Sequence, residues 1–450
     1  MATFKKDFEL NEDQLKAKEA IEDFLGDTSR KVFVLSGPGG TGKSFTIGRA
    51  LSNRIQEQAL YIAPTHKAKG ILSASTGKKA VTLASSLCIK LDEKTGKFKA
   101  DQWARRQGIP VEKSKYIVID ECSMISNDLV DEILEHTQNN AKIICLGDPC
   151  QLPPVGQAED SKIFNYPGYN LTKKVRQRED SNIVPVLNML RLNIESSNPV
   201  ERALTKRDES DDLFFYDDIK EFIDKFCFYH RLGDSTKIVT YNNHMHNDPL
   251  SVKTINRIVR NSLGYTGDFQ VGESIMFYDR FNKNKDESYE KASDYEVLEV
   301  LSGEYDMDIS VPDKKMPVSI LDIRIKVVDV RIKNMVTGEV SSTWVPNRDW
   351  HNKVNAGLKT LFQRKDFYKA YKLREMIPNI EYGYACTSHL SQGSTYEHAY
   401  ILEDNILGGN YRKNKEKNQA LYVAASRCSK TLSIYSKWKN QEKSIGFLSF

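Results

Sequence analysis

Cysteine is scarce in this chain and follows no pattern. Seven are spread over 450 residues (Cys88, Cys122, Cys145, Cys150, Cys227, Cys386 and Cys428). An odd number without a C-x-x-C pair excludes a disulfide framework and a cysteine zinc site, and predicts reduced thiols. Also missing is any apolar run near the roughly 18 residues that a membrane span needs, so a membrane protein is excluded. The start, MATFKKDFELNEDQ, has no apolar h-region ahead of a small-residue cleavage site, and a cytoplasmic location is the expectation. Strong charge of one sign is absent too. Lys and Arg number 65 against 61 Asp and Glu, a net +4, which permits nucleic-acid binding without demanding it. There is no internal repeat and no low-complexity segment. The composition, 40% hydrophobic and 28% charged, is that of a globular protein, and the length suits two to four domains.

What is present is a rhythm. The first half alternates short β-rich runs with helical patterns, as in a parallel sheet covered on both faces. Candidate strands are Lys31 to Ser36, Ala59 to Ala63, Tyr116 to Ile119 and Lys142 to Leu146. Ligands of such sheets bind beyond the carboxyl ends of the strands. The polar, turn-rich stretch from Cys88 to Ser114 breaks the rhythm and reads as a small insertion. After an acidic segment from Asp208 to Asp224, a strand over Lys237 to Tyr241 opens a second α/β unit. Roughly Val271 to Ile380 then carries closely spaced β runs (EVLEVL, SILDIRIKVVDVRI, EVSSTWV), read as a small β-barrel or meander inserted into that unit. A charged helical stretch follows through Lys359 to Met376. The α/β pattern returns with YGYACTSHLSQGS, HAYILED and KTLSIYS.

The strongest local signal is Gly37-Pro38-Gly39-Gly40-Thr41-Gly42-Lys43-Ser44. It fits G-x-x-x-x-G-K-[ST], with KVFVLS before it and the helical pattern FTIGRALSNRI after it. Glycines let a loop backbone wrap phosphate oxygens, and the amide N–H groups and following helix N-terminus supply positive potential. Lys43 would reach the β and γ phosphates of ATP, and the Ser44 hydroxyl would ligate Mg²⁺. Asp120 and Glu121 end the next informative strand, IVIDE. Asp120 suits Mg²⁺ held through water, and Glu121 suits deprotonation of the attacking water. A third strand ends in GDPCQLPPV, where Gln151 is placed to contact the γ-phosphate or its water.

In order and approximate spacing, GPGGTGKS, APTHKAK, VIDECSM, LGDPCQLPPV, TSHLSQGS and LYVAASR resemble the motifs of superfamily 1 DNA helicases, and within them the RecD-like branch with its Dda-like members. The resemblance covers nearly the whole chain, most strongly over Gln14 to Arg176 and Glu381 to Tyr435, and is weakest through the β-rich insertion. It implies that Gln14 reads adenine. Pro64, Thr65 and His66 would touch the DNA backbone, as would Thr387 and His389 in the second motor domain. Arg176 and Arg427 would approach the γ-phosphate from either side of the cleft, and Gln392 and Gly393 match the motif linking DNA track to nucleotide. Two places depart from the pattern. Ala84 stands where the branch has a histidine, which puts one DNA-side contact in doubt. The segment after Tyr241 carries extra residues with His244 and His246, read as loop histidines rather than metal ligands.

The fold implied is α/β, with two RecA-like P-loop motor domains, a β-hairpin pin insertion in the first and an SH3-like β insertion in the second. The expected divisions are 1–87 with 115–185 for the first motor, 88–114 for the pin, 186–270 with 381–450 for the second motor, and 271–380 for the β insertion with its helical extension. Residues 87–91 and 97–99 flank a turn with Gly96 at its left-handed position, so Phe98 just after it is a candidate to stack on the terminal base pair. The alternative for Phe98, or for nearby Trp103, is packing the hairpin onto the motor. The function implied is ATP-dependent translocation on single-stranded DNA, 5′ to 3′, with duplex unwinding. ATP and Mg²⁺ are the expected ligands, and single-stranded DNA and duplex junctions the expected partners. Single-strand-binding or replication proteins are further candidates, and a monomer is compatible with all of this. For a phage protein the location would be the host cytoplasm. Two alternatives stay open: a superfamily 1 RNA helicase, because ATPase motifs do not report sugar identity, and a nucleic-acid remodeller that uses ATP as a switch without separating strands.

Overall fold

The structure is a computed structural model and describes residues 9–91, 98–154, 156–157, 159–177, 180–196, 210–243, 248–279, 281–284, 287–289, 293–312, 320–335, 337–408 and 412–437. Its first sheet uses β1 (Val32–Ser36), β2 (Ala59–Ala63), β3 (Ala80–Thr82), β6 (Tyr116–Ile119), β7 (Lys142–Gly147) and β8 (Gly168–Asn170) in the order β3-β2-β6-β7-β1-β8. Every pairing is parallel. The reason is legible in the residues: β7 is buried along its whole length, as a strand covered by helices on both faces must be. Its side chains alternate between two cores. Ile143 and Cys145 pack with Val32, Val34, Ile117 and Ile119, while Ile144 and Leu146 pack with Phe33, Leu35 and Val118.

Lys142 is the polar exception. Its amine donates to the carbonyls of Phe24 at 3.1 Å and Arg30 at 2.7 Å, and to that of Asp27. A buried cation thus satisfies the exposed C-terminal carbonyls of the helix Glu12–Gly26 and the turn after it.

Between β3 and β6 the chain forms an antiparallel hairpin of β4 (Ile89–Leu91) and β5 (Phe98–Ala100), followed by short helices Gln102–Arg106 and Pro110–Lys113. The expected hairpin is therefore present, and its turn lies outside the described residues. A second parallel sheet has the order β19-β10-β20-β21-β9, from β9 (Leu213–Tyr216), β10 (Thr236–Thr240), β19 (Ala385–Thr387), β20 (Tyr396–Leu402) and β21 (Cys428–Tyr435). The α/β, RecA-like expectation holds for both sheets. They share a hydrophobic seam in which Cys150 and Leu152, beyond β7, pack with the helix Ile183–Glu195 and with Ala420 to Ala425 of the helix Asn414–Ala425.

The interval from 274 to 382 forms an antiparallel sheet. Its strands are β11 (Ser274–Phe277), β14 (Asp294–Val300), β15 (Tyr305–Pro312), β16 (Ile320–Asn334), β17 (Val340–Pro346) and β18 (Ile380–Tyr382), with β12 (Phe281–Asn282) and β13 (Ser288–Tyr289) paired beside it. β16 is long enough for β14 and β15 to line one edge in succession while β17 lines the other. The helical stretch after it is a pair, Arg348–Gln363 and Phe367–Met376. It begins earlier than the charge pattern suggests, because Asn347 caps the first helix through Trp350 N. It divides where Lys365 takes φ +60°. All seven cysteines are free and buried. Among the described residues no group of three metal-ligating side chains occurs and no helix is long and apolar enough to cross a membrane. His244 and His246 lie outside the described residues.

Candidate functional site

The glycine-rich loop joins β1 to the helix Lys43–Ala50. Gly40 and Gly42 take φ of +85° and +81°, which glycine adopts without strain. A Cβ on Gly40 would also meet the Arg176 Cβ at 2.5 Å, and one on Gly42 the Gln14 Nε2 at 2.6 Å. The Lys43 amine folds over its own loop, donating to the carbonyls of Gly37 at 2.8 Å and Pro38 at 3.1 Å. The Thr41 hydroxyl donates to Pro38 at 2.9 Å. Desolvation lowers the Lys43 pKa, against the opposing pull of Asp148, Glu121 and Asp120.

Two strands across the sheet, Ser44 Oγ donates to Asp120 Oδ2 at 3.2 Å. Desolvation, and after it the neighbouring Glu121, push the Asp120 carboxyl up to about 6. A hydroxyl and a carboxylate in contact are the hard oxygen donors that Mg²⁺ takes, so the residues present fit that ion. Glu121 sits in the left-handed region at φ +49°, which turns the chain sharply at the strand end. Its Oε1 would lie 3.6 Å from a Cβ on Gly393 of the second half.

The second half brings Arg427 to the same loop. The helix Asn414–Ala425 ends just before it, and the side chain is aimed by bonds from Nε to Val423 O at 2.9 Å and from Nη2 to Ser426 Oγ at 2.8 Å. Arg176, from the first half, donates through Nη1 to Ser426 O at 3.1 Å. A Cβ placed on Gly39 would lie 3.7 Å from Arg176 Nη1 and 3.7 Å from Arg427 Nη2. Burial, then repulsion from Arg427, lowers the Arg176 pKa to about 10. Gln151 is buried, its Oε1 without a hydrogen-bond partner among the described residues, as is Gln392 Nε2. Lys43, Glu121, Arg176 and Arg427 thus come from well-separated segments to one loop.

Gln14 has local work. Its Oε1 accepts from Asn11 N at 3.1 Å in a capping box, and its Nε2 donates to Thr41 O at 3.0 Å. That leaves one amide hydrogen for a base edge. Thr65 and Thr387 cap equivalent positions in the two halves, accepting from Ala68 N at 3.1 Å and Leu390 N at 3.3 Å. Thr65 follows β2 after Pro64 and Thr387 ends β19, and helices begin next to them at His66 and Ser388. His389 packs edge-on against Tyr241 with ring centres 5.5 Å apart. Both line a cleft of about 1060 Å³ between the halves, with Pro153, Lys413, Lys415 and Glu416. Phe98 pairs with Leu91 in the hairpin, and its side chain lies outside the described residues. Trp103 is 73% exposed, so it does not pack the insertion onto the motor.

Sequence reading missed two supports of the site. Asp13 accepts from Thr172 N at 2.7 Å, Lys173 N at 2.9 Å and Tyr169 OH at 2.9 Å, fixing the segment that delivers Arg176. The other is Asp148, which joins the halves through Arg191 and Tyr422. Asp13 had no motif to mark it, whereas Asp148 stands inside GDPCQLPPV.

In comparison with known proteins, residues 9–207 match the model of an AAA domain. An uncharacterized protein of Acanthamoeba polyphaga mimivirus is 25% identical over 94% of this chain and 98% of its own length. The ATP-dependent DNA helicase Pif1 of Campylobacter jejuni is 30% identical over 30% of this chain and 32% of its own length. The ATP-dependent DNA helicase dda of enterobacteria phage T4 is 30% identical over 34% and 35%. This chain therefore spans about a third of each of those helicases. The crystal structure of Pif1 helicase from Candida albicans aligns with 98% of this chain and 100% of that one at 15% identity and a TM-score of 0.48. The resemblance drawn from the motifs is borne out, and it is to superfamily 1 helicases of the Pif1/RecD-like type.

Proposed function

We propose that the chain is an ATP-dependent DNA helicase that moves 5′ to 3′ on single-stranded DNA and opens duplexes. The observation that carries the nucleotide part is the convergence of Arg176 and Arg427, from different halves, on Gly39 of the phosphate loop. The buried Arg427, the half-buried Arg176 and Lys43 concentrate positive charge at one loop, which a bound triphosphate would neutralise. Glu121 takes the proton of the attacking water, which the Gln151 amide oxygen orients. Lys43, Arg176 and Arg427 neutralise charge that grows on the γ-phosphoryl oxygens. An arginine that arrives only on domain closure is worth about 10³ to 10⁵ in rate. Ser44 and Asp120 would hold Mg²⁺, which when bound neutralises the β and γ phosphates.

Because catalysis needs groups from both halves, closure and hydrolysis are coupled, and closure can be spent on movement along DNA. The DNA track is proposed across Pro64 to His66 and Thr387 to His389. The Thr hydroxyls are engaged as caps, so the amides of the following helix starts are suited to phosphate oxygens. We assign residues 88–114 as a strand-separating pin and 271–380 as an SH3-like module, within the motor divisions expected from the sequence. The names of the Pif1 and Dda relatives support DNA over RNA as substrate. The test is ATP hydrolysis with and without single-stranded DNA. Wild type should be stimulated, Lys43→Ala should lose turnover and keep DNA binding, and Glu121→Gln should bind ATP without turning it over. Wild-type turnover in Glu121→Gln would remove Glu121 from the mechanism.

A further inference from the structure

Asp148 follows β7 directly and is fully buried. Its carboxylate accepts from Arg191 Nη1 at 2.6 Å, from Tyr422 OH at 2.7 Å and from the Cys150 amide at 3.1 Å. Arg191 Nη1 also donates to Tyr422 OH at 3.0 Å, which closes a ring of three side chains. They come from three places: the end of β7, the helix Ile183–Glu195, and the helix Asn414–Ala425. A buried carboxylate whose donors are all in place is stiff, because shifting any of them leaves charge unpaired in a low dielectric.

Both ends of this ring lead to the phosphate loop. On the first side, Gly147, the residue before Asp148, accepts from Gly37 N of that loop at 3.1 Å. On the second, the residue after Tyr422 supplies the carbonyl, Val423 O, that receives Arg427 Nε. When the two halves are together, the ring therefore sets where Arg427 stands relative to the end of β7.

We propose that Tyr422 and Arg191 are positioning residues for Arg427. By gripping Asp148 they hold the helix Asn414–Ala425 to the end of β7 when the halves are together, so that the guanidinium meets the phosphate loop at Gly39. The inference rests on the ATP-hydrolysis reading given above. A residue that places a group needed only in the transition state changes kcat and leaves ground-state nucleotide binding alone.

Tyr422→Phe tests this, since it keeps the ring and removes the hydroxyl. A hydrogen bond to a charged group is lost, and kcat for DNA-stimulated ATP hydrolysis should fall roughly tenfold. KM for ATP and ADP affinity should stay at wild-type values while trapping of ADP with aluminium fluoride weakens, and the thermal midpoint should fall modestly because the buried Asp148 loses one donor. Arg191→Lys, which keeps the charge and loses the geometry, should show the same split. In an Arg427→Lys background, Tyr422→Phe should lower kcat no further. An unchanged kcat, a loss of ADP affinity in parallel with kcat, or full additivity with Arg427→Lys would each overturn the positioning role. A wild-type protein without ATP turnover would overturn the underlying functional reading instead.

Discussion

Gly40→Ala separates the geometry of the phosphate loop from its sequence. Gly40 sits at φ +85°, where an L-residue costs about 1–2 kcal/mol. Its new Cβ would also stand 2.5 Å from the Arg176 Cβ. That neighbour cannot swing away freely, because Val175 N and Arg176 N both donate to the Gly40 carbonyl, at 2.7 and 3.1 Å. Forcing the segment outward adds about 1–3 kcal/mol of overpacking, so the whole change costs about 2–5 kcal/mol and displaces Arg176. Gly39→Ala is the internal control. Gly39 has no positive φ, and its Cβ would meet the two guanidiniums at 3.7 Å, an ordinary contact. Replacing glycine where the backbone suits alanine is neutral or stabilises by about 0.4–1 kcal/mol. Denaturant unfolding should show Gly40→Ala destabilised and Gly39→Ala folded as well as wild type, and DNA-stimulated ATP hydrolysis should be nearly lost in Gly40→Ala. Equal stability of the two variants would refute the packing argument.

Replacing Thr387 and His389 together by Ala should weaken single-stranded DNA binding alike for all sequences, since phosphate contacts carry no base information; in a filter-binding series, loss confined to particular sequences would show base reading instead. Phe98→Ala should retain DNA-stimulated ATP hydrolysis and lose most strand displacement, because stacking worth about 1–3 kcal/mol at the fork is gone; undiminished displacement would pass the role to Trp103. His230, stacked on Phe226 and bonded to Thr236 Oγ1 at 3.2 Å, has its pKa lowered to about 4 by burial and then by Lys237 and Arg231. The unfolded chain takes up that proton near pH 6.5 and the folded chain does not, so stability is held above about 6.5 and falls by up to about 3 kcal/mol as pH drops toward 4. Denaturation midpoints at pH 7 and pH 5 should converge in His230→Phe, and an equal loss in that variant would exclude His230 as the cause.

The parallel strands were legible where burial on both faces writes a continuous apolar run, as in VFVLS of β1 and IICL of β7. Short strands such as β8, GYN, and β3, AVT, carry too few residues for a pattern and are fixed by their neighbours. The helix Arg348–Gln363 escaped recognition at its start because Asn352, Asn355 and Gly357 dilute the helical signal, and packing under β15 and β16 decides it. In the site, the phosphate loop was readable because one contiguous segment does its work. The Asp148 ring was not, since its members stand 43 and 274 residues apart, and nothing local to Arg191 or Tyr422 announces a partner at that distance. Gln14 shows a different gap: a motif position can name a residue while the fold gives its amide a second task at Asn11 and Thr41.

The most direct test of the account is strand displacement from a duplex bearing a 5′ or a 3′ single-stranded tail, with and without ATP. Release of the labelled strand from the 5′-tailed substrate, dependent on ATP and abolished in Lys43→Ala, is the predicted result. ATP hydrolysis stimulated by single strands with no strand release from either substrate would contradict the helicase assignment, and release from the 3′-tailed substrate alone would contradict the proposed direction.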